Sequence, residues 1–439
     1  MSSYFEIAYA TACERLCLFT GTGFSKAVTA NAAPSWQALL EACCDDLKNG
    51  ATLKASLFSG DPKNRLTLEE AAQVVAIERE GAGVSSIHER IAEIIGALSP
   101  TGDNAAIQSF LTQATLAVVT TNYDKLLEGL MPPSDYNSIS PGLPIPRTAA
   151  RVSVYHVHGS IDEPSNMVVT SDNYFAFMRS ETYLSRKLST LLHEDTVVIL
   201  GYSLGDTNLR AILNDYRGFT RDQVIGGSIF LVSKDPVGQH AKDYYSYCYG
   251  IRVLDSTTVS DFFSGVMASL PTATACRASS QDSVRKVLDE GAHFTDNYLR
   301  LRSSFFEIVA AVRAIGRSID NPRVVETLGA VITKKIEFTG INGAWEQYEH
   351  LASWLVYLGS ILELRGTSIE EPYLHAVRRS MTTMSRGQAL GYSWQAYTVW
   401  RRGWFELSSA NRALVREFIS TTAGHDPDAM DIVTRTSPE

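Results

Sequence analysis

The 439-residue chain has no apolar run of the ~18–20 residues that a membrane-crossing helix needs. Its first residues, MSSYFEIAYA, lack the basic stretch and apolar core of a secretory signal, so a cytoplasmic location is expected. Cysteine is sparse. The six are Cys13, Cys17, Cys43, Cys44, Cys248 and Cys276, with no Cys-x-x-Cys pair among them. That argues against a zinc site and predicts small apolar core residues in a reducing compartment. Positive charge is short as well. Net charge is −9, and from residue 277 onward basic and acidic residues balance at 19 each. The deficit therefore lies in residues 1–276. Neither part carries the basic footprint of a nucleic-acid binder, so neither nucleic acid nor membrane is expected as a partner. What is present is an ordinary globular composition, 45% hydrophobic and 20% charged, in a chain long enough for two or three domains.

Four apolar runs end in short polar motifs: LCLFTGTGFS (16–25), LAVVTTNYD (116–124), VYHVHGSID (154–162) and TVVILGYSLGD (196–206). Each reads as a buried strand followed by a Gly, Asn, His or Ser turn. Ligands of open parallel sheets bind outside the carboxyl ends of the strands. Four such ends imply one site assembled from four distant segments. Residues 16–20 and 116–120 show no alternation, as strands covered on both faces do. Further strands are expected at 152–157, 166–170, 196–200, 228–233 and 251–254. Helices are expected at 124–130, 172–192, 206–217 and 238–247. This alternation predicts an α/β, Rossmann-like parallel sheet.

Between the first two motifs the pattern is helical. SWQALLEACCDDLKNG runs from Ser35 as N-cap to Gly50 as terminator. LTLEEAAQVVAIERE (66–80) carries Thr67 and Glu70 in capping-box spacing, and SSIHERIAEIIGAL (85–98) is a third amphipathic helix. This block, about residues 35–100, predicts a helical insertion covering the site. The segment 255–282 marks a boundary, and beyond it the pattern is helical throughout. The chain thus reads as an α/β domain over 1–275 followed by an all-α domain over 276–439. WEQYEHLASWLVYLGSILEL is apolar over most of its circumference and predicts a central bundle helix. Trp394, Tyr397, Trp400 and Trp404 share one helical face, which suits core packing or a partner-binding stripe. The tail TTAGHDPDAMDIVTRTSPE is expected to fray.

Each motif admits two readings. In Gly21-Thr22-Gly23-Phe24-Ser25, two glycines allow a tight turn and close approach to phosphate, or form a plain strand–helix turn. The third glycine of the dinucleotide fingerprint is missing. In Thr121-Asn122-Tyr123-Asp124, Asn122 can position a water or a ribose hydroxyl and Asp124 can accept from an amide; both also suit a helix N-cap. His156 and His158 share one strand face. With no third ligand at convincing spacing, a general base at His158, with His156 one pleat deeper as a hydrogen-bonded core residue or a support behind the site, is a better reading than a metal pair. In Gly201-Tyr202-Ser203-Leu204-Gly205-Asp206, Ser203 offers its hydroxyl to a ribose or phosphate, or the loop is a capped turn.

GTGFS, TTNYD, HVHGS and GYSLGD, in this order, resemble the motifs of the SIR2-like (sirtuin-like) NAD-binding fold, specifically the SIR2-like domains of bacterial anti-phage effectors. The resemblance covers roughly residues 1–275. It implies that Gly21, Thr22, Gly23, Phe24 and Ser25 form the phosphate-binding loop, with Thr121 beside it. It implies that Asn122 lies beside the nicotinamide ribose, Asp124 faces the carboxamide and His158 is the catalytic histidine. Gly201 and Ser203 match the loop on the adenosine side, and Ser233 matches an adenosine-ribose contact. Deacylase sirtuins carry a zinc ribbon with two cysteine pairs after the HG motif; here no cysteine occurs between Cys44 and Cys248. The expected activity is therefore NAD+ hydrolysis to nicotinamide and ADP-ribose, without zinc, by a regulated NAD-depleting effector of abortive infection. A non-catalytic NAD or ADP-ribose sensor and an NAD-dependent protein deacylase are the alternatives. By the same resemblance, residues 276–439 are expected to mediate homo-oligomerisation or to dock a HerA-like ATPase, a nucleotide-sensing enzyme or a short Argonaute.

Overall fold

The computed structural model describes residues 2–60, 66–146, 148–179, 183–202, 229–341 and 343–438. Its centre is one seven-stranded sheet made of β1 (Leu16–Thr20), β2 (Leu116–Thr120), β3 (Tyr136–Ile139), β4 (Val152–His156), β5 (Thr196–Leu200), β6 (Ile229–Val232) and β7 (Ile251–Leu254). The order is β3-β4-β2-β1-β5-β6-β7, and every neighbouring pair is parallel. LCLFT in β1 is buried at all five positions because both faces of the sheet are covered. From β1 the chain builds first toward β2, β4 and β3, then toward β5, β6 and β7. The strand order reverses at β1, where a crevice opens outside the strand ends.

One face of the sheet, with Leu18, Val118, Val154 and Val198, joins a core that continues into the C-terminal helices as far as Trp354 and Ile432. The other face, with Cys17, Phe19, Val119, Tyr155 and Ile199, packs on Leu188, Leu191 and Leu192 of the helix Tyr183–Glu194. The helical insertion has a third core of its own, including Leu40, Cys44, Val75 and Ile91. The helix Val259–Glu290 passes through residue 275 without interruption, and residues from both halves of it join the first core. Among the described residues, no helix is long and apolar enough to cross a membrane.

The α/β sheet with a helical insertion and a following helical region matches the expected fold. Several local expectations need correction. No strand forms at 166–170. Pro164–Asn166 is a short 3-10 turn, and Met167 and Val169 leave the sheet to pack into the insertion core. The helix expected at 124–130 reduces to the 3-10 turn Glu128–Leu130, ahead of Pro132 and Pro133. Strand β3, YNSI, was not expected. It is short and half polar because it is the sheet edge. Gly50 opens the helix Gly50–Leu57 rather than ending one, and a Cβ there would collide with the Cys44 carbonyl. Residues 427–433 do not fray. Asp426 caps that last helix, and Ala429, Ile432 and Val433 are buried. The helix expected at 206–217 lies outside the described residues.

Other expectations hold. The expected capping box of Thr67 with Glu70 forms, and the third helix of the insertion carries a further one, Ser86 with Glu89. Cys17, Cys43 and Cys44 are buried, and the other three cysteines are half-buried. Trp345–Ile361 is a central helix with most of its circumference buried. Of the aromatic face, Tyr397, Trp400 and Trp404 are core residues, while Trp394 is 45% exposed.

Candidate active site

A cavity of about 820 Å³ opens at the carboxyl ends of β1, β2 and β4. Its floor is polar, made by Thr22, Ser25, Thr121, Asn122, Asp124, His158 and Tyr202. Its canopy is largely apolar and comes from the insertion, with Trp36, Leu57, Phe58, Leu68 and Ile95. A polar end that orients a ligand and an apolar wall that excludes water is the usual make-up of a small-molecule site.

Two loops cross at the floor. Gly21 N–H donates to Leu200 O and Gly23 N–H to Gly201 O, both at 2.9 Å. A Cβ on Gly23 would stand 2.7 Å from Gly201 Cα. Gly201 has φ +77°, and a Cβ there would collide with Phe24 N. The glycines are needed because the backbones touch and one of them turns left-handed. The crossing orients the helix Thr22–Val28, which carries Ser25 into the cavity.

Ser25, Asn122 and Asp124 form a hydrogen-bonded chain. Asn122 Nδ2 donates to Ser25 Oγ at 2.8 Å, and Ser25 Oγ donates to Asp124 Oδ2 at 2.7 Å. Asp124 Oδ1 also accepts from Leu126 N–H at 3.1 Å. Each carboxylate oxygen has spare lone-pair capacity, and Asn122 Oδ1 has no partner among the described residues. Burial pushes the Asp124 carboxyl above its ordinary range, opposed by the Ser25 and Leu126 hydrogen bonds.

His158 follows β4 and is only 4% exposed. The edges of Tyr174 and Phe177, from the helix Ser171–Arg179, pack on its ring at centroid distances of 5.4 and 5.2 Å. Burial pushes its pKa down to about 4, so the ring is neutral at pH 7. The turn after it needs glycine: Gly159 has φ +86°, and a Cβ there would stand 2.8 Å from Asn166 O. His156, one pleat deeper, is 1% exposed. Its Nδ1–H donates to Asn122 O at 3.0 Å, and its Nε2 lies 2.8 Å from Glu128 Oε1.

The fold thus brings Thr22, Ser25, Thr121, Asn122, Asp124 and His158 to one cavity. Phe24 and Ser233 of the expected set stand apart from it. The Phe24 side chain points into the main core and is 2% exposed. Ser233 Oγ donates to Asp235 O at 2.8 Å and does not line the cavity. Ser203 lies outside the described residues. Sequence reasoning missed Tyr202, whose hydroxyl is 2.6 Å from Thr121 Oγ1, and the canopy residue Trp36. Tyr202 belongs to the GYSLGD motif. Trp36 follows the expected N-cap Ser35, so both had a sequence signal that was not used. Among the described residues, no group of three or more His, Cys, Asp or Glu is arranged to hold a metal ion.

A family model described as a SIR2-like domain matches residues 116–254. The first motif, GTGFS, lies before that span. The chain is 23% identical over 261 residues to Defense-associated sirtuin 2 of Bacillus subtilis, an alignment covering 58% of this chain and 24% of that protein. It is 31% identical over 110 residues to NAD(+) hydrolase ThsA of Bacillus cereus (strain MSX-D12), covering 24% of this chain and 23% of that protein. The chain therefore spans about a quarter of the length of these two relatives. The SIR2-like resemblance drawn from the four motifs agrees with these matches.

Proposed function

We propose that the chain is an NAD+ hydrolase that breaks the nicotinamide–ribose bond, giving nicotinamide and ADP-ribose. The observation that carries this reading is one cavity lined by Ser25, Asn122, Asp124 and His158, drawn from three separate strand ends. A relative named as an NAD(+) hydrolase supports the choice of substrate.

The bond electrons pass to the pyridinium nitrogen, so nicotinamide leaves uncharged and needs no general acid. Water adds to the ribose carbon, and its proton goes by way of His158 to solvent. A neutral imidazole suits this step, because it does not repel the cationic ring or the oxocarbenium-like transition state. Asn122 orients the water or a ribose hydroxyl through its free carbonyl oxygen. Asp124 accepts from the carboxamide with its remaining lone pairs. Positioning and electrostatics of this kind must together lower the barrier by roughly 8 kcal/mol or more.

The burial of His158 under Tyr174 and Phe177 favours a resting state. Turnover then requires the helix Ser171–Arg179 to shift, which fits an effector of anti-phage defence switched on by a partner or phage signal. Residues 276–439 are the part we assign to oligomerisation or to docking that partner. The same burial favours a second reading, a sensor that binds NAD+ or ADP-ribose without cleaving it.

Incubating the purified chain with NAD+, alone and with the products of neighbouring genes, and measuring free nicotinamide and ADP-ribose separates the two readings. The hydrolase reading expects both products, and their loss in Asn122→Ala and His158→Ala. Undiminished nicotinamide release by these variants would refute the residue assignment. Tight NAD+ binding without release under any condition would favour the sensor.

A further inference from the structure

Behind the candidate site lies a buried polar network that the proposed mechanism does not use. Its centre is His156, the last residue of β4 and 1% exposed. Its Nδ1 faces Asn122 O at 3.0 Å, and its Nε2 faces Glu128 Oε1 at 2.8 Å. A carbonyl only accepts, so Nδ1 carries the proton that faces Asn122 O, while Nε2 stands between Glu128 Oε1 and Lys125 Nζ, the latter at 3.4 Å. Glu128 is 4% exposed, and Ser138 Oγ donates to the same oxygen at 2.8 Å. Burial works to raise the Glu128 carboxyl, but His156 and Lys125 outweigh it and hold the pKa at about 2. Lys125 Nζ donates to Ser138 Oγ at 2.7 Å and pairs with Asp162 Oδ2 at 2.5 Å. The network therefore runs from the surface to the main chain of Asn122.

Asn122 is held from two sides. Its N–H donates to Thr120 Oγ1 at 3.1 Å, and Thr120 Oγ1 in turn donates to Thr20 O of β1 at 3.0 Å. Its C=O accepts from His156. The peptide groups on either side of this residue are thereby tied to β1 and β4, the two strands that flank β2. From that held backbone the side-chain amide reaches Ser25 Oγ at 2.8 Å.

We infer that His156 is a positioning residue for the reaction at the nicotinamide–ribose bond, acting through its Nδ1–H on the Asn122 carbonyl, with Glu128 setting the orientation of its ring. This rests on the hydrolase reading above. His156 touches no substrate; it sets where the Asn122 amide points. A displacement of about 1 Å at such a group costs roughly 100-fold in rate.

Two substitutions separate positioning from packing, because each keeps a nitrogen at one of the two ring positions. In His156→Asn the amide nitrogen takes the place of Nδ1 and can still reach Asn122 O. In His156→Gln the amide nitrogen takes the place of Nε2 and reaches Glu128 only. Nicotinamide release, the NAD+ dissociation constant and the melting temperature are measured for both, and for Glu128→Gln. H156Q is expected to slow release roughly 10- to 100-fold, with NAD+ affinity within about threefold. H156N is expected to recover most of the rate, and E128Q to lose several-fold through weaker hold on the ring. Equal rates in H156Q and H156N, or an unaltered rate in E128Q, would overturn the inference. If the unsubstituted chain binds NAD+ but releases no nicotinamide, the hydrolase reading fails by itself. The positioning is then read in the dissociation constants: weaker binding in H156Q than in H156N upholds it, and equal binding overturns it.

Discussion

Two buried or half-buried asparagines do different work in the two parts of this chain. Asn411, in the C-terminal helices, is fully buried, and its amide is saturated. Its Nδ2 donates to Gly359 O and Leu362 O at 2.8 and 2.7 Å, and its Oδ1 accepts from Leu364 N–H at 3.1 Å. Asn122, at the end of β2, makes one side-chain bond, to Ser25, and turns its carbonyl oxygen toward a cavity. Lys335 and His158 repeat the contrast. Lys335 Nζ donates to Leu299 O and Gln347 Oε1 at 2.9 and 2.6 Å and lies 4.2 Å from the centre of the Trp354 ring. His158 has aromatic edges around it and no ring hydrogen bond among the described residues. Asn411 and Lys335 are consumed in fixing loops of the helical region. The polar groups at the strand ends are rigidly held but left with capacity, which is what binding and catalysis require.

The largest break in this comparison is expected at the cavity. His158→Ala should lower nicotinamide release by on the order of 10²–10⁴-fold, and Asn122→Ala by roughly 10²–10³-fold. Steady-state kinetics of the activated protein check this; a loss under tenfold in both would remove the distinction.

The next effect is in acid. Neutral His158 titrates near 4 in the folded chain, against an ordinary 6.5. The unfolded chain takes up the proton first as pH falls. The stability tied to this ring is therefore whole above 6.5 and is lost progressively down to about 4, on the order of 3 kcal/mol in all. In denaturant titrations across that window the parent should lose stability relative to His158→Phe by that amount as the pH drops. Once Tyr174 and Phe177 move off the ring for turnover, the burial that lowers its pKa is relieved, so the acid limb of kcat/KM in the activated protein is expected closer to 6.5 than to 4. Burial also pushes Lys335 down, to about 7 from 10.5. Its unfolded form protonates first, so the helical region should lose stability as pH falls from 10.5 toward 7.

Asn411→Ala strands two carbonyls and one N–H in the core and should cost about 2–3 kcal/mol in urea unfolding. Trp394→Ala should be the mildest, within about 0.5 kcal/mol, because the ring is 45% exposed and stands outside the core its helical neighbours form. A large Tm drop in that variant would return Trp394 to the core.

Much of the sheet was legible in the chain. LCLFT, LAVVT and TVVIL are short, apolar and free of alternation, and all three are interior strands. Strand β3 escaped notice because YNSI alternates polar and apolar over four residues, too few for a period to register. Residues 166–170 misled for the opposite reason. NMVVT is β-prone, but its apolar side chains serve the insertion core. At the site, Asn122, Asp124, Ser25 and His158 were found because each ends an apolar run. Phe24 was assigned with them because it sits in the same loop, yet a residue in the first turn of a helix can face either way, and here it faces the core.

The chain by itself determined which residue types stand at the strand ends, because burial period and turn chemistry are local and can be read over ten residues. The tertiary structure decided what those residues face. It set Gly23 against Gly201, hung Tyr174 and Phe177 over His158, roofed the cavity with Trp36 and Phe58, and tied Asn122 to His156. Those contacts join segments far apart in sequence. They depend on the strand order and on side-chain packing, neither of which leaves a mark in any single stretch of the chain.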